Sequence, residues 1–165
     1  MTDYPMLTLN DGRQLPQIGF GTYQIDNDKA AEAVRTAVDV GYKMVDTAAV
    51  YQNEDGVGDG LTETPDIFLQ TKIWNASQGY DRTLKAAEKC LDRLGRDNVD
   101  MLLIHWPCPE KGLFVETWKA LIELRDQGKA KSIGVSNFRT EDLKRIADET
   151  GVTPALNQIE LHPSF

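Results

Sequence analysis

Apolar positions along this chain switch repeatedly between two spacings: short extended runs, and three- to four-residue steps. Leu7-Thr8-Leu9 and Arg13-Gln14-Leu15 flank Asn10-Asp11-Gly12, and Asp-Gly between two short extended runs predicts a hairpin. Residues 18–22 read as a strand. A helix over about 28–41 follows, with Ala30, Val34, Ala37, Val38 and Gly41 on one face. Residues 43–47 predict a strand leading into a short helix that ends near Leu61.

The alternation then repeats. Residues 67–73 are strand-like, and 81–94 form an amphipathic helix with Leu84, Ala87, Leu91 and Leu94 in phase. The nearly continuous apolar run 99–105 marks a strand covered on both faces. A helix over 113–127 carries Phe114, Trp118, Leu121 and Ile122 and is closed by Gly128. Residues 130–135 predict a strand, 140–150 a helix with Thr140 as its N-cap, and 155–160 a last strand.

Strand and helix in regular alternation mean βα units and a parallel sheet. No linker or low-complexity block interrupts the pattern, so residues 1–165 read as a single domain. A doubly wound sheet would carry a glycine-rich phosphate turn after its first strand. Here Gly19-Phe20-Gly21-Thr22-Tyr23-Gln24 has Gln24 at the third glycine position, and Gly56-Val57-Gly58-Asp59-Gly60 also fails the spacing. The alternative is an α/β barrel of the (β/α)₈, or TIM, type that has reached its sixth strand.

Composition narrows the partners. Eighteen basic against 26 acidic residues give a net charge of -8, a poor match for phosphate-dominated nucleic-acid binding. No apolar run is long enough to span a membrane. Met1-Thr2-Asp3-Tyr4-Pro5 lacks the basic and apolar regions of a secretory leader. Cys90 and Cys108 have neither metal-ligand nor redox spacing, and unpaired thiols suit a reducing compartment. The expectation is a cytoplasmic protein with no metal, nucleic-acid or membrane partner.

The polar residues favour the barrel, whose catalytic groups sit at the C-terminal ends of strands. Asp46 ends one strand with Tyr51 just beyond, Lys72 and Trp74 end the next, and His105 and Trp106 another. Ser136 and Asn137 follow the fifth barrel strand, and Gln158 lies near the end of the sixth. From Asp46 the steps are 26 to Lys72, 33 to His105 and 32 to Asn137, about one βα unit each.

Each of these residues has an ordinary structural reading when taken alone; their joint placement does not. Together they suit carbonyl reduction. Hydride addition leaves an alkoxide that needs a proton. Tyr51 is the candidate acid, Lys72 the cation expected to lower its pKa, and Asp46 the partner holding Lys72 in place. A neutral His105 would donate to the substrate oxygen. Asn137 and Gln158 are amides able to pair with a nicotinamide carboxamide, while Trp74 and Trp106 offer apolar walls for a substrate pocket.

The segments Gly19-Phe20-Gly21-Thr22, Gly41-Tyr42-Lys43-Met44-Val45-Asp46-Thr47-Ala48, Tyr51-Gln52-Asn53-Glu54, Thr71-Lys72-Ile73-Trp74, Leu103-Ile104-His105-Trp106-Pro107, Ile133-Gly134-Val135-Ser136-Asn137-Phe138 and Asn157-Gln158-Ile159-Glu160-Leu161-His162-Pro163 resemble the aldo-keto reductases. The flavour is that of the bacterial branch resembling 2,5-diketo-D-gluconate reductase. The resemblance implies a (β/α)₈ barrel with an N-terminal hairpin closing its bottom, and NADPH (NADP+) as cofactor. It also implies reduction of small sugar-derived keto or dicarbonyl compounds, with Asp46, Tyr51, Lys72 and His105 as catalytic residues. Gly21, Thr22, Asp46, Ser136, Asn137 and Gln158 match cofactor contacts. Leu61-Thr62-Glu63-Thr64-Pro65 is shorter than the family usually has there.

A complete barrel needs roughly 250 residues, so the expectation here is a partial barrel of about six of the eight strands. The complete enzyme is expected to be monomeric and this chain to self-associate through open strand edges. Two other readings stand beside the reductase. One is an inactive fragment or a nucleotide-binding regulatory protein on the same barrel. The other is an aldolase with Lys72 as Schiff-base nucleophile, which the adjacent Asp46 disfavours.

Overall fold

A computed structural model describes residues 4–164; residues 1–3, where a leader was sought, and Phe165 lie outside the described residues. The hairpin forms from β1 (Met6–Thr8) and β2 (Gln14–Pro16), antiparallel with Leu7 opposite Leu15. Six further strands make one parallel sheet in strict sequence order: β3 (Phe20–Gly21), β4 (Met44–Asp46), β5 (Phe68–Ile73), β6 (Val99–Ile104), β7 (Ala130–Ser136) and β8 (Asn157–Gln158). The intervening helices are α1 (Asn27–Asp39), α2 (Glu54–Gly60), α3 (Tyr80–Leu94), α4 (Phe114–Asp126) and α5 (Thr140–Thr150). A doubly wound sheet reverses its strand order at a switch point; this one never does.

The sheet is strongly curled. Asp46 on β4 and Gln158 on β8 are separated by four strand spacings, about 19 Å if the sheet were flat, yet their side chains come within 3.5 Å. Alternation along each strand then sorts residues into two environments. Val45, Leu69, Ile73, Leu102, Ile104, Ile133 and Val135 point outward into a continuous apolar core with the helices. The inward phase carries Met44 and Asp46 on β4, Gln70 and Lys72 on β5, Met101 and Leu103 on β6, and Ser136 at the end of β7. The hairpin is tied to the bottom: Ser132 Oγ donates to the Asp11 carboxylate, and Asn10 donates to the Pro154 carbonyl at 3.0 Å.

Element ends differ from the expected ones at identifiable places. The strand expected over 18–22 is paired only at Phe20–Gly21, and the one expected over 155–160 only at Asn157–Gln158. Each lies at an edge with a partner on one side, and Ile18 and Ile159 are exposed. Gly41 is not on the buried face of α1; it lies in the turn beyond it, with φ +108. Thr140 is the first residue of α5 and not its cap, which is Arg139, whose backbone N–H donates to Asp142 at 3.2 Å.

The glycines of α2 serve close packing, with no phosphate turn. A Cβ at Gly58 would lie 2.6 Å from the Leu94 carbonyl oxygen, and one at Gly60 would lie 2.8 Å from Val34 Cβ. The short 61–65 connection is held by Arg96, which donates to the Leu61 carbonyl at 2.7 Å and the Thr64 carbonyl at 3.3 Å. Among the described residues no helix is long and apolar enough to cross a membrane, and no group of His, Cys, Asp or Glu is arranged to hold a metal.

Candidate active site

The curl brings the C-terminal ends of β4 to β8 around one open cleft of about 720 Å³, a size typical of small-molecule sites. Lys72 faces inward from β5 and is only 2% exposed. Its ammonium donates to Asp46 Oδ1 at 2.7 Å, Asp46 Oδ2 at 2.8 Å and the Thr47 carbonyl at 2.9 Å. These bonds use all three of its hydrogens. Burial is the largest influence on Lys72 and pushes its pKa down, while Asp46 pulls it back up. An amine so engaged is not a free nucleophile.

Tyr51 closes the single helical turn Ala49–Tyr51 after β4. The Lys72 ammonium lies 5.2 Å from its ring centroid, and the rings of Tyr23 and His105 stand 5.2 and 5.8 Å away. Its pKa is pushed up to about 12, first by burial and then by the negative charge of Asp46. The expectation of a Tyr51 pKa below its ordinary value is therefore corrected: burial and Asp46 outweigh the nearby ammonium. The ammonium faces the ring, and Asp46 and Thr47 already take all its hydrogens, so none is left for the phenol oxygen.

His105 follows β6, and its backbone N–H is fixed by the Ile73 carbonyl at 3.1 Å. Its ring stands edge-on to Trp74, with centroids 5.2 Å apart. Burial, then the Lys72 charge, lowers its pKa to about 4, so the imidazole is neutral near pH 7. Nδ1 is buried and has no hydrogen-bond partner among the described residues, which leaves Nε2 as the nitrogen available to a ligand in the cleft.

The amide and hydroxyl candidates are interlocked at the next two strand ends. Ser136 Oγ donates to the Gln158 carbonyl at 2.9 Å. Asn137, in the left-handed region at φ +62, donates to the His105 carbonyl at 3.1 Å and to Ser136 Oγ at 3.0 Å. Ser136, Asn137 and Gln158 line the cleft with Asp46, and Trp74 and Trp106 form part of its wall. Gly21 and Thr22 do not line it; Thr22 is fully buried, its hydroxyl donating to the Asp46 carbonyl at 3.2 Å.

The profile of the aldo/keto reductase family matches residues 17–164. The chain belongs to that family. An aldo-keto reductase of Mycolicibacterium smegmatis is 50% identical over 163 residues, covering 96% of this chain and 59% of its own length. Methylglyoxal reductase DkgA of Escherichia coli is 44% identical, covering 99% of this chain and 60% of its own. A solved Brucella melitensis aldo/keto reductase superposes with a TM-score of 0.94 at 55% identity, over 98% of this chain and 65% of that one. A variant of Gox0644 solved in complex with NADPH gives 0.96 at 54% identity, over 98% and 60%. The chain thus spans about three fifths of the length of these relatives.

Three features of this aldo/keto reductase chain escaped the reading of its sequence. Asn53 is fully buried and donates to the Thr22 and Ile25 carbonyls at 2.8 and 2.9 Å while accepting from Thr47 at 3.1 Å. It ties the loop after β3 to the segment carrying Tyr51. Glu54 is buried between Thr71 and Arg93, anchoring the start of α2 to β5 and α3. Gln70, inward-facing on β5, donates to Asp46 Oδ1 at 2.6 Å. Its position in phase with Lys72 was the one available sequence signal. The other two stand in the segment Tyr51-Gln52-Asn53-Glu54, whose resemblance to the family marks them without pointing to these bonds.

Proposed function

We propose that the protein is an NADPH-dependent reductase of small aldehydes and ketones, among them sugar-derived keto compounds and dicarbonyls. The observation carrying this reading is the meeting of Tyr51, the Lys72–Asp46 pair and a neutral His105 in one cleft. The name of DkgA, a methylglyoxal reductase, and the NADPH complex of the Gox0644 variant support the substrate class and the cofactor.

The residues present fit the reacting end of that cofactor. Asn137 and Gln158 put amide groups on the cleft wall, suited to the nicotinamide carboxamide, with Ser136 beside them and Asp46 below. When bound, NADPH supplies the hydride. The chain's own residues then have distinct tasks. His105 Nε2 donates to the substrate oxygen and orients it. Tyr51, kept protonated by its raised pKa, donates its phenolic proton to the developing alkoxide, a far stronger base than a phenolate. The Lys72 ammonium under the ring opposes the negative charge left on Tyr51 after transfer, and Asp46 fixes the ammonium there. The test is loss of NADPH absorbance on mixing the full-length protein with methylglyoxal or a keto-sugar. Hydride transfer to the carbonyl carbon of either supports the proposal, and absence of turnover with both, at saturating NADPH, refutes it.

A further inference from the structure

Gln70 is fully buried at the centre of β5, directly across from Asp46 in the β4–β5 register and two positions before Lys72. Cross-strand neighbours of this kind share a face. Its amide nitrogen donates to Asp46 Oδ1 at 2.6 Å and reaches Gln158 Oε1 at 3.4 Å, while Gln158 Nε2 points back at Asp46 Oδ2 from 3.5 Å. The amide orientation is unambiguous, because turning it over would set the oxygen of Gln70 against a carboxylate. Its own Oε1 is buried without a hydrogen-bond partner among the described residues. An apolar side chain of similar shape would avoid that orphaned acceptor, so packing alone does not account for glutamine here.

We infer that Gln70 is a positioning residue, joining the carboxylate that holds Lys72 to the amide that seats the nicotinamide. Its two hydrogens add a further donor to the Asp46 carboxylate that Lys72 already grips and set the rotation of Gln158. Proton delivery from β4 and cofactor seating from β8 thereby become one hydrogen-bonded unit, although the two strands are far apart in the sheet order. The charged groups facing Gln70 are Asp46 from β4 and Lys72 on its own strand; Met101 on β6 and Gln158 on β8 are uncharged.

The inference rests on the reductase reading, and two readouts keep its failure distinct from that reading's. The first needs no turnover: NADPH affinity of the full-length protein, followed by quenching of tryptophan emission. Gln70→Met, close in shape, should raise Kd about tenfold, the weight of one charge-assisted hydrogen bond. It should also lower kcat by at least a similar factor, with little change in KM for the carbonyl.

The second readout is a pH profile of Gln70→Glu. When protonated, the introduced carboxyl donates to Asp46 as the amide did; when ionised, it repels Asp46. Its Kd relative to wild type should therefore approach one at about pH 5 and worsen toward pH 8, whereas the ratio for Gln70→Met stays flat. Wild-type Kd in Gln70→Met, or a flat ratio in Gln70→Glu, overturns the inference. A wild type that binds NADPH but reduces no carbonyl overturns the reductase reading, and the two Kd results then decide the role of Gln70 by themselves.

Discussion

At the residue scale the cleft works by withholding solvent. Burial keeps Tyr51 protonated and His105 neutral, and the same burial makes Lys72 dependent on Asp46. Tyr51→Phe in the full-length protein should lower turnover at least about 10²-fold, with NADPH affinity nearly unchanged; near-normal turnover would remove Tyr51 from its role. Lys72→Met should collapse the rate as well, and adding Asp46→Asn should cost little more, because a charge and its partner act as one unit. Multiplying losses in the double variant would show two independent sites. His105 also predicts a stability trend. Its folded pKa of about 4 lies below its ordinary value, so the unfolded chain binds the proton first, and stability is lost as pH falls from about 6.5 toward 4. Melting temperatures across that range should fall less steeply in His105→Phe, where the titrating group is gone.

At the scale of elements, precision comes from buried polar ties and close helix contacts. Asn53 links the loop after β3 to the Tyr51 segment through two hydrogen bonds, to the Thr22 and Ile25 carbonyls. Asn53→Leu should destabilise by about 1–3 kcal/mol for each carbonyl left buried and unpaired, and lower kcat through misplacement of Tyr51; denaturant midpoints measured alongside kcat check both. The glycines of α2 set a different limit. At 2.6 Å from the Leu94 carbonyl oxygen, a methyl at Gly58 meets backbone, so Gly58→Ala must push α2 from α3 at a cost of about 1–3 kcal/mol. An unchanged melting temperature would show that the helices part freely. Neither effect was readable from local sequence. The hydrophobic spacing gives Asn53 no face to occupy, and the glycine spacing speaks only to a phosphate turn.

For the whole molecule, curling turns five strand ends into one site and leaves β3 and β8 each paired on one side only. A polypeptide of these 165 residues, prepared by itself, should therefore associate through those edges. Analytical ultracentrifugation should find oligomers, and a monodisperse monomer would show that the edges are self-protected. The sequence alone determined the βα rhythm, because hydrophobic spacing records which face of each element is buried. It also determined the candidate residues at strand ends, because a strand phase broken by Asp, Lys or His inside an apolar sheet needs a reason. What only tertiary structure decided was everything that depends on distance between strands: that Lys72 gives its hydrogens to Asp46 and Thr47, that burial and Asp46 raise the pKa of Tyr51, that Thr22 is buried against the Asp46 carbonyl, and that Gln70 reaches across to Gln158. Periodicity assigns a side chain to a face. The curl of the sheet decides which faces meet, and it arises from the summed twist of all the strands and from no single segment.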